Sequence, residues 1–246
     1  MPVSFRNFDY SFPNDKGKPV FVPSDDTRKM AKVLIPLVRH NFQIEPHYYH
    51  FAEGAHVAAL HAHRENKYFA RLDLKNFFYS VGRNRVKAAL KEIGVPRAEG
   101  FARWSTVRNP YGDEPRYSLP YGFPQSPLLA TLVLARSALG TALENTPPSV
   151  FRSVYLDDIA LSGDDPDQLA EAFESVKLAA VAANFTLNEA KTREVAPQID
   201  LFNCDLSNGS TEVTADRVAA FYAVYRPPHS AAAFEVYRAT VSDGNA

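Results

Sequence analysis

The chain has 246 residues, of which 46% are hydrophobic and 12% aromatic, so its composition indicates a globular protein with a sizeable core and excludes a disordered or fibrous one. Its formal net charge of −1 excludes a protein that is strongly basic or acidic throughout. The single cysteine, Cys204, excludes an intramolecular disulfide and favours a reducing compartment. The sequence also lacks an apolar run of membrane-spanning length and a signal-peptide core, so we expect a cytoplasmic location.

The first third of the chain is predicted to contain a hairpin, two helices and a core strand. Polar residues around Gly17 place the hairpin turn at residues 14–18. Ser24 and the two aspartates after it are typical of a helix start, and apolar residues at helical spacing continue to about residue 41. Pro36 implies a kink or a break in this helix. A second helix is predicted over residues 54–65 and a core strand over residues 67–74.

The rest of the chain is predicted to alternate between helices and short strands. Helices are predicted over residues 83–93, 128–143, 167–183 and 216–225. A hairpin surrounds the turn at residues 111–114, a turn and a strand are expected within residues 185–194, and residues 199–206 are predicted as one strand before the turn at 207–210. Strands interleaved with helices indicate the α+β class.

Two separated acidic sites are the most informative feature of the sequence. Tyr155-Leu156-Asp157-Asp158 lies between two short apolar, β-branched runs, which predicts a hairpin with the carboxylates at its turn. Two exposed acids in a hairpin turn are also common without any ligand. Asp73, far upstream and also within an apolar run, favours the metal interpretation, because two strands that each bring a carboxylate to one point suit two-metal phosphoryl transfer.

Four short motifs carry a family resemblance. Residues 72–78 (LDLKNFF), 119–127 (LPYGFPQSP), 155–158 (YLDD) and 187–192 (LNEAKT) occur in the order of reverse transcriptase motifs A, B, C and D. From about residue 16 to about residue 213 the chain resembles a bacterial reverse transcriptase, similar to retron, group II intron and phage-defence enzymes. The resemblance implies a right-hand polymerase palm with fingers, in which an antiparallel palm sheet packs on helices.

The resemblance also implies the catalytic residues. Asp73 would bind two Mg²⁺ or Mn²⁺ ions, with the backbone carbonyl of Leu74 as a further oxygen ligand. Asp157 would be the second firm ligand, and Asp158 either a ligand of one metal or a neighbour of the ligands. Lys191 lies where the family places a lysine near the pyrophosphate leaving group, as a general acid.

Nucleotide-binding residues are implied in the same way. Phe78, five residues after Asp73, is expected to lie under the incoming sugar and to collide with a 2′-hydroxyl, although Phe77 and Phe78 could both be core residues. Tyr121 stands where the family usually has Gln, which makes an altered substrate preference, fidelity or product plausible; a structural role is the alternative. Four further residues are expected to contact the nucleotide: Gly122, Gln125, Lys18 and Arg28.

The resemblance divides the chain into regions of a polymerase. Residues 1–66 are expected to form an N-terminal arm and fingers, 67–82 and 119–198 the palm, and 83–118 a fingers/palm insertion. Residues 199–214 resemble a primer-grip hairpin with Phe202, Asn203 and Cys204 at its turn, although a plain edge hairpin fits the pattern equally well. Residues 215–246 are expected to be a vestigial thumb and tail, formed by residues 216–225 and 231–241. So short a thumb predicts low processivity, or a partner protein, structured RNA or self-association that completes the channel.

The charge distribution agrees with nucleic-acid partners. Residues 83–116 contain eight Lys or Arg and four acids, whereas residues 144–205 contain twelve acids and four bases. This asymmetry suits a basic channel that binds an RNA or DNA template, beside an acidic metal centre at which dNTPs would react. The alternative explanation is that these charged residues lie on solvated helix faces.

Two classes of function fit the sequence. The first is an RNA-directed DNA polymerase that adds dNTPs to a 3′ end, in a bacterial retroelement or anti-phage defence system; template-independent or protein-primed nucleotidyl transfer is a variant of it. The second is a non-catalytic scaffold that keeps the polymerase fold and binds RNA or protein. The complete set of Asp73, Asp157 and Asp158 favours an enzyme.

Overall fold

The structure is a computed structural model that describes residues 6–112 and 114–246. The helices are α1 (Asp25–Asn41), α2 (Ala55–His63), α3 (Phe77–Ser80), α4 (Arg83–Glu92), α5 (Ala98–Trp104), α6 (Ser126–Ala135), α7 (Ala138–Glu144), α8 (Pro166–Ala182), α9 (Ala215–Tyr222) and α10 (Pro228–Ser242), with a 3-10 turn at Tyr49–Phe51. The strands are β1 (Phe8–Pro13), β2 (Pro19–Pro23), β3 (Tyr68–Asp73), β4 (Val107–Arg108), β5 (Tyr117–Ser118), β6 (Val150–Tyr155), β7 (Asp158–Gly163), β8 (Arg193–Ala196), β9 (Gln198–Leu201), β10 (Cys204–Ser207) and β11 (Ser210–Val213).

The described residues form two compact units. The first contains residues up to 45, residues 74–141 and residues 180–186. The second contains residues 46–73, 142–179 and 187–246. Each unit therefore draws on three separate stretches of sequence.

In the first unit, β1 and β2 form the predicted N-terminal hairpin. The strands pair antiparallel, with Phe12 opposite Val20. The Asn14 side chain accepts hydrogen bonds from the amides of Lys16 and Lys18, at 3.0 and 2.9 Å, and Gly17 has φ of +71°. A short polar side chain and a glycine close the turn because both suit local backbone hydrogen bonding and positive φ.

Helices α1 and α3–α6 supply most of the first unit. Ser24 caps α1 through the amide of Thr27, as the sequence predicted, and Leu34 and Val38 are completely buried. The helix is continuous through Pro36, so the structure shows no break there. Helix α5 was not predicted, because its sequence follows Pro96 closely and contains Gly100, both of which weaken a helix pattern.

The single apolar helix predicted over residues 128–143 is wrong. Helices α6 and α7 are separate and bent by 74°. At the break the Ser137 hydroxyl donates to the Leu134 carbonyl, at 2.6 Å, and a Cβ on Gly140 would lie 2.3 Å from the Ala135 carbonyl oxygen. A side chain that competes for a backbone carbonyl ends α6, and glycine permits the close turn into α7.

Within the described ranges no single helix has the length and hydropathy to cross a membrane, and only α6 and α7 taken together meet those criteria.

The second unit is built on a four-stranded antiparallel sheet in the order β6-β7-β3-β8. Strand β3 is almost entirely buried, including Phe69 and Leu72. The β6–β7 hairpin is the predicted acidic hairpin, with Tyr155 paired to Asp158. An apolar central strand flanked by two antiparallel neighbours fixes the register at which the acidic residues meet.

A three-stranded sheet, β9-β10-β11, completes the second unit. Residues 199–206 are two strands rather than the one predicted, because the chain turns at Phe202 and Asn203, which have φ of +55° and +61°. Helix α10 packs against β11 and α2, where the Val241 carbonyl contacts His61 Nε2 at 3.0 Å and accepts from the Thr211 hydroxyl at 2.5 Å.

Candidate metal centre and nucleotide-binding residues

Asp73 and Asp158 face each other in the sheet of the second unit. Asp73 is the last residue of β3, Asp158 is the first residue of β7, and the two are direct cross-strand partners. Side chains of residues directly opposite in antiparallel strands lie on the same face and close together. The fold therefore brings two carboxylates, 85 positions apart in the chain, together at one end of the two central strands of the sheet.

The Asp73 carboxylate is buried, at 3% side-chain exposure, and it is bound by the segment that resembles motif D. Asn188 Nδ2 donates to Asp73 Oδ1 at 2.8 Å, and Lys191 Nζ donates to Asp73 Oδ2 at 2.9 Å. The two segments are also linked through their backbones, since the Asn188 amide donates to the Asp73 carbonyl at 2.8 Å. Lys191 thus supplies a positive charge to the first carboxylate.

The Asp158 carboxylate is bound by Arg71, which lies two residues before Asp73. Arg71 Nε and Nη2 both donate to Asp158 Oδ1, at 2.9 and 2.6 Å. Burial is the largest influence on the pKa of Asp158 and raises it; Arg71 acts in the opposite direction, and the neighbouring Asp73 raises it further. The pKa rises overall because removal from water disfavours the charged form more than one guanidinium restores it.

Arg71 is itself held by a second acid. Its Nη1 donates to Asp200 Oδ2 at 2.9 Å and to the Asp200 carbonyl at 3.1 Å. Arg193 Nε in turn donates to Asp200 Oδ1 at 2.6 Å. These contacts form a chain of alternating charges that begins at the first residue of β7 and consists of Asp158, Arg71, Asp200 and Arg193.

Asp157 lies in the two-residue turn between β6 and β7 and is half-buried. The residue before it, Leu156, has φ of +57°, a left-handed conformation that is uncommon for residues other than glycine and is often found at functional sites. Tyr155 stabilises the base of the turn, with ring centroids 5.4 Å from Phe202 and 5.8 Å from His56.

These residues fit a hard divalent cation. Carboxylate oxygens are the ligands that Mg²⁺ prefers, and two carboxylates directly opposite each other repel unless positive charge lies between or beside them. Here Lys191 and Arg71 each supply such a charge to one carboxylate. No three His, Cys, Asp or Glu side chains form a complete metal-binding group in the described part of the chain.

The predicted sugar-contacting residue, Phe78, lies in the first unit in contact with Tyr121. The two rings meet edge to face, with centroids 4.8 Å apart and planes at 83°, and Phe78 is only 5% exposed. Lys18 Nζ is 3.4 Å from the Tyr121 hydroxyl and 5.5 Å from the ring centroid. The structure thus joins three of the predicted nucleotide-binding residues in one cluster.

Position 122 requires a glycine because the backbone of strand β2 in the N-terminal hairpin approaches it closely. Gly122 has φ of +97°, and a Cβ on it would lie 2.2 Å from the Phe21 carbonyl oxygen. The Tyr121 carbonyl accepts from the Phe21 amide at 2.9 Å. Gly122 therefore joins the motif B segment to strand β2.

Two other predicted nucleotide-binding residues lie apart from this cluster. Gln125 is completely buried and donates to the Ser105 hydroxyl at 3.3 Å; its contact with a nucleotide stays a prediction. Gln125 immediately precedes α6, in which all residues from Leu128 to Leu134 are buried. Arg28 is exposed on α1.

The three residues predicted to resemble a primer grip differ in burial. Phe202 and Asn203 form the β9–β10 turn. Cys204 is completely buried, with its sulfur 3.7 Å from the Tyr237 hydroxyl, so in this structure it is a core residue. Its small apolar side chain points inward because β10 alternates buried and exposed positions.

Three residues at the site have no role predicted from the sequence: Asn188, Arg71 and Asp200. Arg71 could have been found from strand alternation, because residues two apart on a strand share a face. Asn188 is three residues before Lys191 and could have been paired with it. Nothing local marks Asp200, whose contact with Arg71 joins residues 129 apart.

Solved structures of polymerases show the same fold. A telomerase from Candida albicans is similar with a TM-score of 0.59 at 11% identity, over 80% of this chain and 45% of that one. A foamy viral protease-reverse transcriptase bound to double-stranded DNA is similar with a TM-score of 0.51 at 18% identity, over 89% of this chain and 32% of that one. The chain therefore spans less than half of either protein, and these likenesses confirm a reverse-transcriptase-like palm fold with antiparallel sheets.

Comparison by sequence gives two results. No curated protein matches the chain significantly. The model of the reverse transcriptase (RNA-dependent DNA polymerase) family matches residues 12–214, which is most of the chain and contains all four motifs. The enzymes of this family are nucleotidyltransferases that use divalent metals and act on nucleic acid. The chain belongs to the reverse transcriptase family.

Proposed function

We propose that the protein is an RNA-directed DNA polymerase that adds dNTPs to a 3′ end by two-metal-ion nucleotidyl transfer. The observation that carries the proposal is the direct cross-strand pairing of Asp73 with Asp158, with Asp157 in the adjoining turn. A non-catalytic scaffold has no need for three carboxylates at this end of the sheet, since opposed carboxylates repel and must be offset by positive charge, here from Lys191 and Arg71.

Asp73, Asp157 and Asp158 would hold Mg²⁺ or Mn²⁺, with the Leu74 carbonyl as a further oxygen donor. When bound, the two ions stabilise the attacking and leaving oxygens of an in-line displacement. Family membership and the chemistry of the carboxylates support this assignment.

Lys191 is suited to proton transfer at the leaving group. Its ammonium is 2.9 Å from Asp73 Oδ2, while its side chain is 50% exposed. A lysine that is half in solvent can leave one carboxylate and reach a substrate phosphate without a large desolvation cost. We infer that Lys191 exchanges Asp73 for the pyrophosphate group and donates a proton to it.

The cluster of Phe78, Tyr121 and Lys18 would select and bind the nucleotide. Two contacting rings give a rigid apolar surface that disfavours a 2′-hydroxyl, so deoxynucleotides are preferred. Lys18, together with Arg28 and the backbone at Gly122, would meet the triphosphate, whose negative charge needs counter-charge in phosphoryl transfer.

The biological setting that the motifs favour is a bacterial retroelement or an anti-phage defence system, in the cytoplasm. An RNA or DNA template is the nucleic-acid partner in this proposal. A partner protein, a structured RNA or self-association would extend the surface that holds the duplex.

The proposal is tested by primer extension on RNA, on DNA and without template, with each dNTP and rNTP. Asp157→Ala is expected to reduce incorporation about a thousandfold or more, because the charge stabilisation that bound metal provides amounts to several kcal/mol. Asp164→Ala is the matched control, since Asp164 is an exposed acid just beyond the other end of β7, and it should behave as wild type.

Each outcome decides between the functions. Templated incorporation that is lost in Asp157→Ala supports the polymerase. Template-free products from the wild type identify nucleotidyl transfer of the template-independent kind. Equal activity in wild type and Asp157→Ala, or no incorporation under any condition, overturns the catalytic assignment and favours a scaffold.

A further inference from the structure

Arg71 is the least exposed charged residue in the chain of alternating charges. Its side chain is 8% exposed, compared with 19% for Asp158 and 40% for Asp200. A buried guanidinium is unfavourable unless its donors are satisfied, and here three of its nitrogens donate to carboxylate or carbonyl oxygens of two acids. Asp158 and Asp200 therefore hold the Arg71 guanidinium in position within the second unit.

Both bonds from Arg71 to Asp158 end on the same atom, Oδ1. Two converging N–H donors restrict rotation of a carboxylate more than a single ammonium could. They also engage only one of its two oxygens, so the carboxylate keeps Oδ2 for another cation.

We propose that Arg71 is a positioning residue for the metal centre, and that Asp200 and Arg193 in turn fix Arg71. This inference rests on the proposed function, because it takes Asp158 as a metal ligand. Arg71 holds Asp158 so that a single oxygen, Oδ2, faces the cation, and it compensates part of the charge that Asp158 and Asp73 would otherwise place opposite each other.

Strand geometry supports this arrangement. Arg71 and Asp73 lie two residues apart on β3, so their side chains share one face of the sheet. Asp158 is paired with Asp73 on β7, and Arg71 with Ala160. Arg71 therefore reaches Asp158 along the diagonal of the same face and leaves the position directly opposite Asp158 to Asp73.

Asp200→Asn is the sharpest test, because it weakens the hold on Arg71 without altering a residue of the metal centre. Binding of Mn²⁺ alone is measured from the electron paramagnetic resonance signal of the free ion. We expect affinity about three- to tenfold below wild type, since groups that orient metal ligands typically contribute about 10–100-fold and Asp200 acts one step further away. The Mg²⁺ concentration for half-maximal extension should rise by a similar factor, with most activity recovered at saturating metal.

Glu194→Gln is the matched control. Glu194 lies beside Arg193 on β8, is 67% exposed and pairs with Lys177 at 3.1 Å. The substitution removes the same charge and one ion pair from the same unit, so Mn²⁺ affinity should stay within about twofold of wild type if the contact, and not net charge, matters.

Arg71→Lys provides a second measurement, with an expected loss of about 10–100-fold in Mn²⁺ affinity. If this variant does not fold, as judged by circular dichroism, Asp200→Asn alone decides. If the Asp200→Asn and Glu194→Gln variants bind Mn²⁺ with equal affinity, the positioning role of Arg71 is overturned, while the polymerase proposal stands. A wild type that neither binds Mn²⁺ nor extends a primer overturns the proposed function itself.

Discussion

At the scale of single residues, the contact between Phe78 and Tyr121 is the feature with the most direct consequence for substrate choice. Phe78 is 5% exposed and meets the Tyr121 ring at 4.8 Å. The position usually occupied by Gln in the family thus carries a ring that supports the residue expected to exclude ribose. Selectivity would then depend on a pair of rings rather than on one.

Phe78→Val is expected to raise incorporation of rNTPs relative to dNTPs by about tenfold or more. The smaller side chain removes the clash with a 2′-hydroxyl, and pocket contacts of this size change discrimination by about 10–200-fold. The ratio of kcat/KM for rNTP and dNTP measures the effect. Tyr121→Ala should shift the ratio in the same direction but less, because Phe78 remains in place.

Phe77→Leu is the control for this pair. Phe77 is 1% exposed, and its ring centroid lies 5.8 Å from that of Phe185 and 5.7 Å from that of Phe78, so its truncation loosens the core beside Phe78 while both rings of the Phe78–Tyr121 contact remain. If Phe78→Val leaves the ratio at the wild-type value, Phe78 is a core residue only.

At the scale of elements, the join between the motif B turn and strand β2 depends on a single glycine. Gly122 combines φ of +97° with a 2.2 Å approach of its missing Cβ to the Phe21 carbonyl. A side chain would be strained in this conformation and would also displace the hairpin.

Gly122→Ala is expected to lower the free energy of unfolding by about 3 kcal/mol, because backbone strain of this kind costs about 1–3 kcal/mol before the clash is added. Urea denaturation measures the change. Gly100→Ala is the matched control, since a Cβ there would meet none of the described residues within 4 Å and Gly100 lies inside α5; it should be neutral or stabilising by up to about 1 kcal/mol. Equal effects of the two substitutions would contradict the close approach.

At the scale of the whole molecule, two buried histidines, His47 and His63, and the half-buried His50 make stability depend on pH. His63 is completely buried, and its ring nitrogens lie 2.7 Å from the hydroxyls of Ser153 and Ser162. Burial lowers the pKa of His63 from 6.5 to about 3. Burial also lowers the pKa of His47 and of His50 to about 4.

The folded protein is therefore expected to lose stability as pH falls below 6.5. Below pH 6.5 the unfolded chain binds protons on these histidines, whereas their rings in the folded protein stay neutral. The free energy of unfolding is therefore highest above pH 6.5 and falls progressively down to about pH 3. His63 alone should account for about 2 kcal/mol between pH 7 and pH 5. Denaturation curves at the two pH values measure the loss.

His63→Gln should reduce this pH dependence by about the same amount, because an amide keeps a donor and an acceptor between the two serines but does not titrate. His40→Gln, at an exposed position of α1, is the control and should match wild type. An unchanged pH dependence in His63→Gln would show that the ring is not held neutral by burial.

The sequence by itself determined the reverse transcriptase family, the acidic hairpin and the helices with clear apolar periodicity. Each of these is encoded locally, since a motif or a repeating pattern needs only neighbouring residues to be recognised. The same local reading failed for residues 128–143 and 199–206, where Gly140 and the turn at Phe202 and Asn203 interrupt a pattern that continues on either side.

Only the tertiary structure decided which side chains meet. Asp158 rather than Asp157 is the cross-strand partner of Asp73, Arg71 and Lys191 neutralise the two carboxylates, and Gln125 lies inside the fold. These outcomes depend on strand register and on contacts between residues more than 80 positions apart. Register and long-range contacts are set by how the whole sheet buries its apolar face, which no single segment of the sequence specifies.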